Sequence, residues 1–217
     1  MIKNICFNHS AADLSALLCS RICHDLISPI GAISNGLELL DDAGIEEEAM
    51  QLIRMSSKHA ISRLKFARLA FGHPGYTSSN FNLTEIKDII KDFVSIDNKV
   101  DISWISSQVS ISKQNAKLLL NLFMIAYVSL PKTGNIRIYI EHSAKEDVFS
   151  LEISGVLVQF PEKFIKIISG NMDYEIDSYD VQFYYTALLA YESNVELFHH
   201  IIDDKKNRFS AVIKKQV

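Results

Sequence analysis

A helical periodicity dominates the first third of the sequence and most constrains the fold. From about Glu46 to Phe71, apolar or small residues recur at alternating steps of three and four. These positions are Met50, Ile53, Ser57, Ala60, Leu64, Ala67 and Phe71. Such spacing is typical of a helix that packs along one face in a bundle. A preceding helix is predicted from a cap at Ser10 or Asp13 to about Asp42, with Gly44 in the turn.

The first helix carries an apolar arc of its own. On a helical wheel at about 100° per residue, the arc contains Leu14, Leu18, Ile22, Leu26, Ile30, Ile33, Leu37 and Leu40. Two helices alone cannot enclose both apolar faces, whereas two copies of the hairpin would form a four-helix bundle. The pattern therefore predicts a homodimer.

A second domain is predicted after the Gly-, Pro- and Ser-containing segment 72–80. We expect a helical hairpin domain at residues 1–76 and an α/β sandwich at 77–217. The predicted helices are Leu83 to Phe93, Ser112 to Leu130, Pro161 to Ser169 and Val181 to Tyr191. The predicted strands are Val100 to Ile105, Ile136 to His142, Val148 to Ile153, Val195 to Ile202 and Arg208 to Lys214. This order favours an α+β fold, with a mixed sheet covered by helices on one face.

Composition indicates a cytoplasmic protein. The chain has 217 residues, a net charge of −4 and only 3 cysteines, so neither a nucleic-acid partner nor a disulfide framework is expected. Met1 to Ser10 lacks a signal-peptide pattern. The apolar run Leu118 to Leu130 is too short for a membrane span of about 20 residues, so no membrane association is predicted.

One histidine lies on the wrong face for packing. On the wheel His24 falls almost opposite the apolar arc, so its side chain should point to solvent or to a partner. Asp25 can accept the Nδ1 proton of the imidazole and leave Nε2 as a nucleophile. Ser28 adds a hydroxyl one turn further on, while Pro29 removes a helical donor at a cost of about 3 kcal/mol. Gly31 leaves room for a close approach.

These residues resemble a known motif. The segment from His24 to Ile33 looks like the phosphoacceptor box of sensor histidine kinases, in which a histidine and an acidic residue precede Ser/Thr/Asn-Pro. The longer stretch from Leu17 to Leu40 is similar to the ChpT-type histidine phosphotransferases of alphaproteobacterial phosphorelays. The resemblance implies a dimeric four-helix bundle followed by a domain like the ATP-binding domain of histidine kinases.

The resemblance also implies a function. His24 would carry a phosphoryl group, Asp25 would orient its ring and Ser28 would position the group. The partners implied are the receiver domain of a CckA-like hybrid kinase and CtrA-like and CpdR-like response regulators. The receiver would supply Mg²⁺, so no cofactor or metal is expected on this chain. The residues expected to dock the receiver are Arg21, Gly31, Asn35 and Glu38.

The nucleotide motifs of the kinase domain are altered. Ile125 stands at the position of the Mg²⁺-chelating asparagine, and isoleucine offers no oxygen ligand. Asn121 is an earlier asparagine of that motif and does not replace it. Ser154 stands where an aspartate should bind adenine, and residues 178–191 contain no glycine. We therefore expect that the chain does not bind ATP.

Two other functions remain open at this point. One is a divergent ATP-dependent sensor kinase, and the other is a dimeric adaptor in which His24 has no chemical role. Two candidate metal clusters, Cys19 with Cys23 and His199-His200 with Asp203-Asp204, are better interpreted as packing residues and as a solvated hairpin. Five tyrosines are assigned to helix packing: Tyr174, Tyr179, Tyr184, Tyr185 and Tyr191.

Overall fold

The hairpin of helices predicted at the N-terminus is present. The computed structural model describes residues 7–40, 44–72, 80–171 and 175–215. Helix α1 spans Ala11–Leu39 and helix α2 spans Glu46–Ala70. Ser10 caps α1 by accepting a hydrogen bond from the backbone N–H of Asp13. The predicted helix end at Asp42 and the domain boundary between residues 76 and 77 lie outside the described residues.

The two helices approach closely near the turn. Gly36 is the buried residue of α1, and a Cβ atom there would lie 2.6 Å from Cγ1 of Ile53 and 3.3 Å from the carbonyl oxygen of Ala49. The absence of a side chain at Gly36 therefore permits the close contact between α1 and α2.

A large apolar surface of the hairpin is uncovered within one chain. Its exposed members are Ile27, Ile30 and Leu37 on α1 and Met50, Ile61 and Leu64 on α2; we call this set the apolar band. The buried residues of α2 are instead Ala49, Ser56, Ser62, Phe66 and Ala70. The exposure of Met50 and Leu64 in the single chain agrees with the expectation that two helices alone cannot enclose both apolar faces.

The second half forms a mixed five-stranded sheet. Its strands are β2 (Val100–Ser106), β4 (Gly134–His142), β5 (Glu146–Gly155), β6 (Val195–Asp203) and β7 (Lys206–Lys214). They are arranged in the order β2-β4-β5-β7-β6, with β2 parallel to β4 and the other neighbours antiparallel. Two short strands that were not predicted, β1 (Asn80–Asn82) and β3 (Ser110–Ser112), pair separately. The predicted mixed sheet is confirmed.

Helices cover one face of this sheet. They are α3 (Leu83–Val94), α4 (Lys113–Val128), α5 (Glu162–Ile168) and α6 (Val181–Glu192). Strand β4 shows the two faces by its alternation, because Ile136, Ile138 and Ile140 are buried while Arg137 is exposed. Helix α4 is almost entirely buried from Leu118 to Tyr127. The α+β fold with a covered sheet is therefore confirmed.

The hairpin packs on this core through α2. Phe66 is 3% exposed, and its ring centroid lies 4.5 Å from that of Phe93 on α3 and 6.0 Å from that of Phe123 on α4. An aromatic cluster therefore joins the N-terminal helices to the sheet domain.

Helix α1 resembles a membrane-spanning helix in length and composition, although the sequence analysis predicted no membrane association. Among the described residues it is long and apolar enough, by length and composition, to cross a membrane. Bundle helices pass the same test, and α1 carries Arg21, His24 and Asp25 near its middle. The result is weak evidence for a membrane span.

The half-buried histidine of β6, His199, gives a pH-dependent prediction. The His199 ring stacks on Phe160 with centroids 3.8 Å apart, and burial, with a smaller effect of His200, lowers the pKa of His199 below 6.5. The folded protein favours the neutral ring, so the free energy of unfolding should fall as the pH drops through the ordinary histidine pKa of about 6.5. Urea unfolding at pH 7.5 and pH 5 should show a smaller fall for His199→Phe than for the parent.

The exposed neighbour His200 supplies the control for this measurement. His200→Gln should keep most of the pH dependence because the side chain of His200 is exposed. An equal fall in stability for the parent and His199→Phe would contradict the assignment to His199.

Candidate functional site

The side chain of His24 is accessible. It projects from the middle of α1 and is 55% exposed, as the helical wheel predicts. Its neighbour in space belongs to the other half of the chain, namely the turn that precedes α6. The imidazole therefore lies where the hairpin meets the sheet domain.

Nε2 of His24 contacts a tyrosine. The hydroxyl oxygen of Tyr179 lies 2.7 Å from Nε2, which is hydrogen-bonding distance. The two rings meet edge to face, with centroids 4.9 Å apart and planes at 72°. Tyr179 is itself 54% exposed, so the contact forms at the surface of the protein.

Asp25 lies beside the other ring nitrogen. Its Oδ1 is 3.7 Å from Nδ1 of His24, which is longer than a hydrogen bond. Its Oδ2 accepts a hydrogen bond from Nε of Arg21 at 3.1 Å. Arg21 thus holds the carboxylate one helical turn away, and the orienting role of Asp25 stays a prediction.

The side chain of Arg21 is less exposed than the sequence predicted. It was expected on the exposed docking face, but its side chain is only 14% exposed. Its guanidinium carbon lies 5.9 Å from the centre of the Tyr179 ring, so the turn before α6 covers it. The exposure expected of Arg21 is therefore wrong, because a wheel of α1 alone omits the second domain.

The turn that carries Tyr179 is braced by two aspartates. Oδ1 of Asp177 accepts hydrogen bonds from the backbone N–H groups of Tyr179 at 2.7 Å and of Asp180 at 2.8 Å. Both bonds lower the pKa of Asp177, and the bond from Asp180 has the larger effect. The positive charges of Lys163 and Arg21 act in the same direction. Asp180 is 4% exposed and pairs with Lys163 at 2.6 Å. The backbone of Tyr179 is thus held in place.

The other predicted site residues lie along the exposed side of α1. Ser28, Asn35 and Glu38 are exposed. A Cβ atom built on Gly31 would meet nothing within 4 Å, so this position offers the open approach that the sequence predicted.

Ile125 and Asn121 of the altered nucleotide motif belong to the core, whereas Ser154 is partly exposed. Ile125 is completely buried. Asn121 is also fully buried, and its Nδ2 donates to the carbonyl oxygens of Ala70 at 2.9 Å and Lys117 at 2.8 Å. Its Oδ1 accepts from Nε2 of Gln182 at 2.7 Å. Asn121 therefore connects the end of α2 to α4 and α6.

Neither candidate metal cluster brings three ligands together among the described residues. Across the described ranges, no three His, Cys, Asp or Glu side chains are grouped so that they could hold an ion. Cys19 and Cys23 are exposed, so their interpretation as packing residues is wrong for the single chain. His199 packs on Phe160 while the next side chain, His200, is exposed, as strand alternation predicts.

Sequence reasoning missed Tyr179. Of the tyrosines assigned to packing, Tyr184 and Tyr185 are buried, whereas Tyr174 lies outside the described residues. Tyr179 occupies a turn, where hydrophobic periodicity carries no information. The available signal was its place between Asp177 and Asp180, two residues that favour turns and helix caps.

Comparisons with known proteins agree on one family. Residues 83–205 match the family described as "Histidine phosphotransferase C-terminal domain". Protein phosphotransferase ChpT of Brucella abortus (strain 2308) is 40% identical over 192 residues, which cover 88% of this chain and 91% of the relative. A solved structure of a bacterial phosphotransferase superposes with a TM-score of 0.86 at 38% identity, covering 96% of this chain and all of the other.

Proposed function

Because the chain belongs to the histidine phosphotransferase family, we propose that this phosphotransferase carries the phosphoryl group on His24 and exchanges it with aspartates of receiver domains. The observation that supports His24 is its half-exposed imidazole in the middle of α1. The other histidines that the sequence singled out for site chemistry, His199 and His200, lie on β6.

In the proposed reaction, the main contribution of this chain is a correctly positioned nucleophile, Nε2 of His24. The lone pair of Nε2 attacks the phosphorus of the receiver's aspartyl phosphate, the N–P bond forms, and the P–O bond to the carboxylate breaks. A second receiver aspartate attacks the phosphohistidine in the reverse sense. Nδ1 keeps its proton, and the nearby Asp25 carboxylate compensates the positive charge on the ring. Ser28 would help to position the group.

We propose that the receiver provides the remaining chemistry and that ATP takes no part. We expect the Mg²⁺ ion of the reaction on the receiver. The residues of this chain expected to dock the receiver are Arg21, Gly31, Asn35 and Glu38. Burial of Ile125 and the use of Asn121 in internal hydrogen bonds support the absence of a nucleotide site. The expected partners are a CckA-like hybrid kinase and CtrA-like and CpdR-like regulators, in a soluble and cytoplasmic relay.

The direct experiment follows the phosphoryl group. The protein is mixed with a CckA-like receiver domain that was phosphorylated with acetyl phosphate and then separated from it. We expect mass spectrometry to find the group on His24 and a CtrA-like receiver to remove it. A phosphoryl group on another histidine, or none at all, would refute the proposal; the latter would favour an adaptor.

A nucleotide titration separates the relay from a divergent kinase. We expect the melting temperature to stay within about 1 °C when Mg-ATP is added in millimolar amounts, because a bound ligand would raise it by mass action. A saturable rise of several degrees, together with labelling of His24 from ATP, would establish a kinase instead.

We further propose that a second copy of the chain covers the apolar band. Ile61→Asp should therefore convert a dimer to monomers, because it places a charge where a second hairpin would bury an aliphatic side chain. Light scattering coupled to gel filtration measures the mass. Ile201→Asp is the matched control, since Ile201 is as exposed as Ile61 (66% and 54%) but lies on β6. A monomeric parent would refute the dimer.

A further inference from the structure

The contact of Tyr179 with Nε2 of His24 has chemical consequences. Nε2 is the atom that must attack phosphorus if the proposed function holds, and the phenol oxygen lies 2.7 Å from it. The histidine comes from α1 and the tyrosine from the turn before α6, 155 residues later in the chain. The second domain therefore touches the reacting atom itself.

The surrounding groups indicate which partner donates. A neutral imidazole carries one proton, and a phenol keeps its own proton at neutral pH. The Asp25 carboxylate lies on the Nδ1 side of the ring, 3.7 Å away, and attracts the ring proton to Nδ1. Nε2 then has a free lone pair that accepts from the hydroxyl of Tyr179. This tautomer is also the one that phosphoryl transfer requires.

We propose that Tyr179 is a residue of the phosphotransfer site: it donates a hydrogen bond to Nε2 in the resting protein and to a phosphoryl oxygen of phosphorylated His24. This assignment rests on the proposed role of His24. The N–P bond takes the lone pair that Tyr179 used, so the phenol must shift when the group arrives. No proton leaves Tyr179, since the same O–H bond donates before and after transfer.

The structure provides for such a shift. The side chain of Tyr179 is 54% exposed, so rotation of the ring away from Nε2 meets solvent rather than the core. Oδ1 of Asp177 accepts hydrogen bonds from the backbone N–H groups of Tyr179 and of Asp180, so the side chain of Tyr179 stays within reach of the site. Arg21, beside the same ring, remains engaged with Asp25 and adds a positive charge close by.

Loss of the Tyr179 hydroxyl should shift the equilibrium of phosphoryl transfer in one direction. A hydrogen bond to an anionic phosphoryl oxygen is roughly twice as strong as one between neutral groups. Tyr179→Phe loses the weaker bond in the free protein and the stronger one in the phosphoprotein. The equilibrium between phosphorylated His24 and a phosphorylated receiver should therefore move toward the receiver by roughly threefold to tenfold.

Two measurements test the proposal on the full-length protein. Nitrogen-15 NMR of the His24 ring reports the tautomer, and we expect the form protonated at Nδ1 in the parent and a shift toward a mixture in Tyr179→Phe. The second measurement is the partition of the phosphoryl group between His24 and a CckA-like receiver domain at equilibrium. Tyr191→Phe is the matched control, because Tyr191 is 47% exposed and lies near the end of α6.

The outcomes are distinguishable from those of the proposed function. If the parent takes the phosphoryl group on His24 and Tyr179→Phe matches it within twofold with the same ring spectrum, the role of Tyr179 is refuted while that of His24 stands. If Tyr191→Phe changes the partition as much, the effect is not specific and the assignment is also refuted. A parent that takes no group on His24 removes both proposals.

Discussion

Replacing His24 by glutamine should lower the rate of phosphoryl transfer by about three orders of magnitude or more. Glutamine keeps a polar side chain of similar length but has no ring nitrogen that can form the N–P bond, and loss of a covalent nucleophile has effects of this size. The side chain is 55% exposed and its contact with Tyr179 lies at the surface, so the free energy of unfolding should fall by about 1 kcal/mol or less. Rapid-quench transfer from a phosphorylated receiver measures the rate, and urea unfolding measures the stability.

The control for this variant is another exposed histidine. His200→Gln removes an exposed imidazole from β6 and should leave the transfer rate unchanged. Residual transfer by His24→Gln within about tenfold of the parent would show that another group accepts the phosphate. Unchanged binding of the receiver together with lost transfer would place the defect in the chemical step.

Truncation of Phe66 should have the largest effect on stability. Phe66→Ala leaves a cavity among α2, α3 and α4 and removes a ring that contacts Phe93 and Phe123. Core substitutions of this type cost about 3 to 5 kcal/mol. Urea unfolding followed by circular dichroism measures the loss. Since Phe66 joins the hairpin to the sheet domain, the variant should also disturb the contact of His24 with Tyr179.

An exposed phenylalanine, Phe198, provides the control that shows how much of the lost stability comes from burial. Phe198→Ala removes the same group from an exposed position of β6, where Phe198 is 49% exposed, and should cost about 1 kcal/mol or less. A loss below about 1 kcal/mol for Phe66→Ala would mean that the hairpin does not depend on this cluster.

The fold was largely predictable because its elements have clear periods. The spacing of α2 and the alternation of β4 and β5 identify a helix and a pair of strands directly. The short strands β1 and β3 were missed because three residues show no alternation. The seam of α2 was predictable, and so was its incomplete burial within one chain, since two helices alone cannot enclose both apolar faces; Leu64 is 53% exposed.

Only the part of the candidate site that lies on α1 was predictable from the sequence. His24 and Asp25 are neighbours in sequence, so a local motif identifies both. Tyr179 meets His24 through tertiary packing, which sequence spacing does not encode. The same packing covers Arg21, whose angle on α1 was predicted correctly but whose exposure was not.

The hydrogen bonds of Asn121 limit how far the hairpin can move relative to the sheet domain. The amide of Asn121 donates to the carbonyl of Ala70, the last residue of α2, and so links the end of the hairpin to the neighbouring helices. Two domains on a flexible tether sample many separations, which dilutes the effective concentration of one near the other. Here the end of α2 is bonded to α4 and, through Asn121, to α6, so His24 and Tyr179 are kept close together and do not separate on a tether.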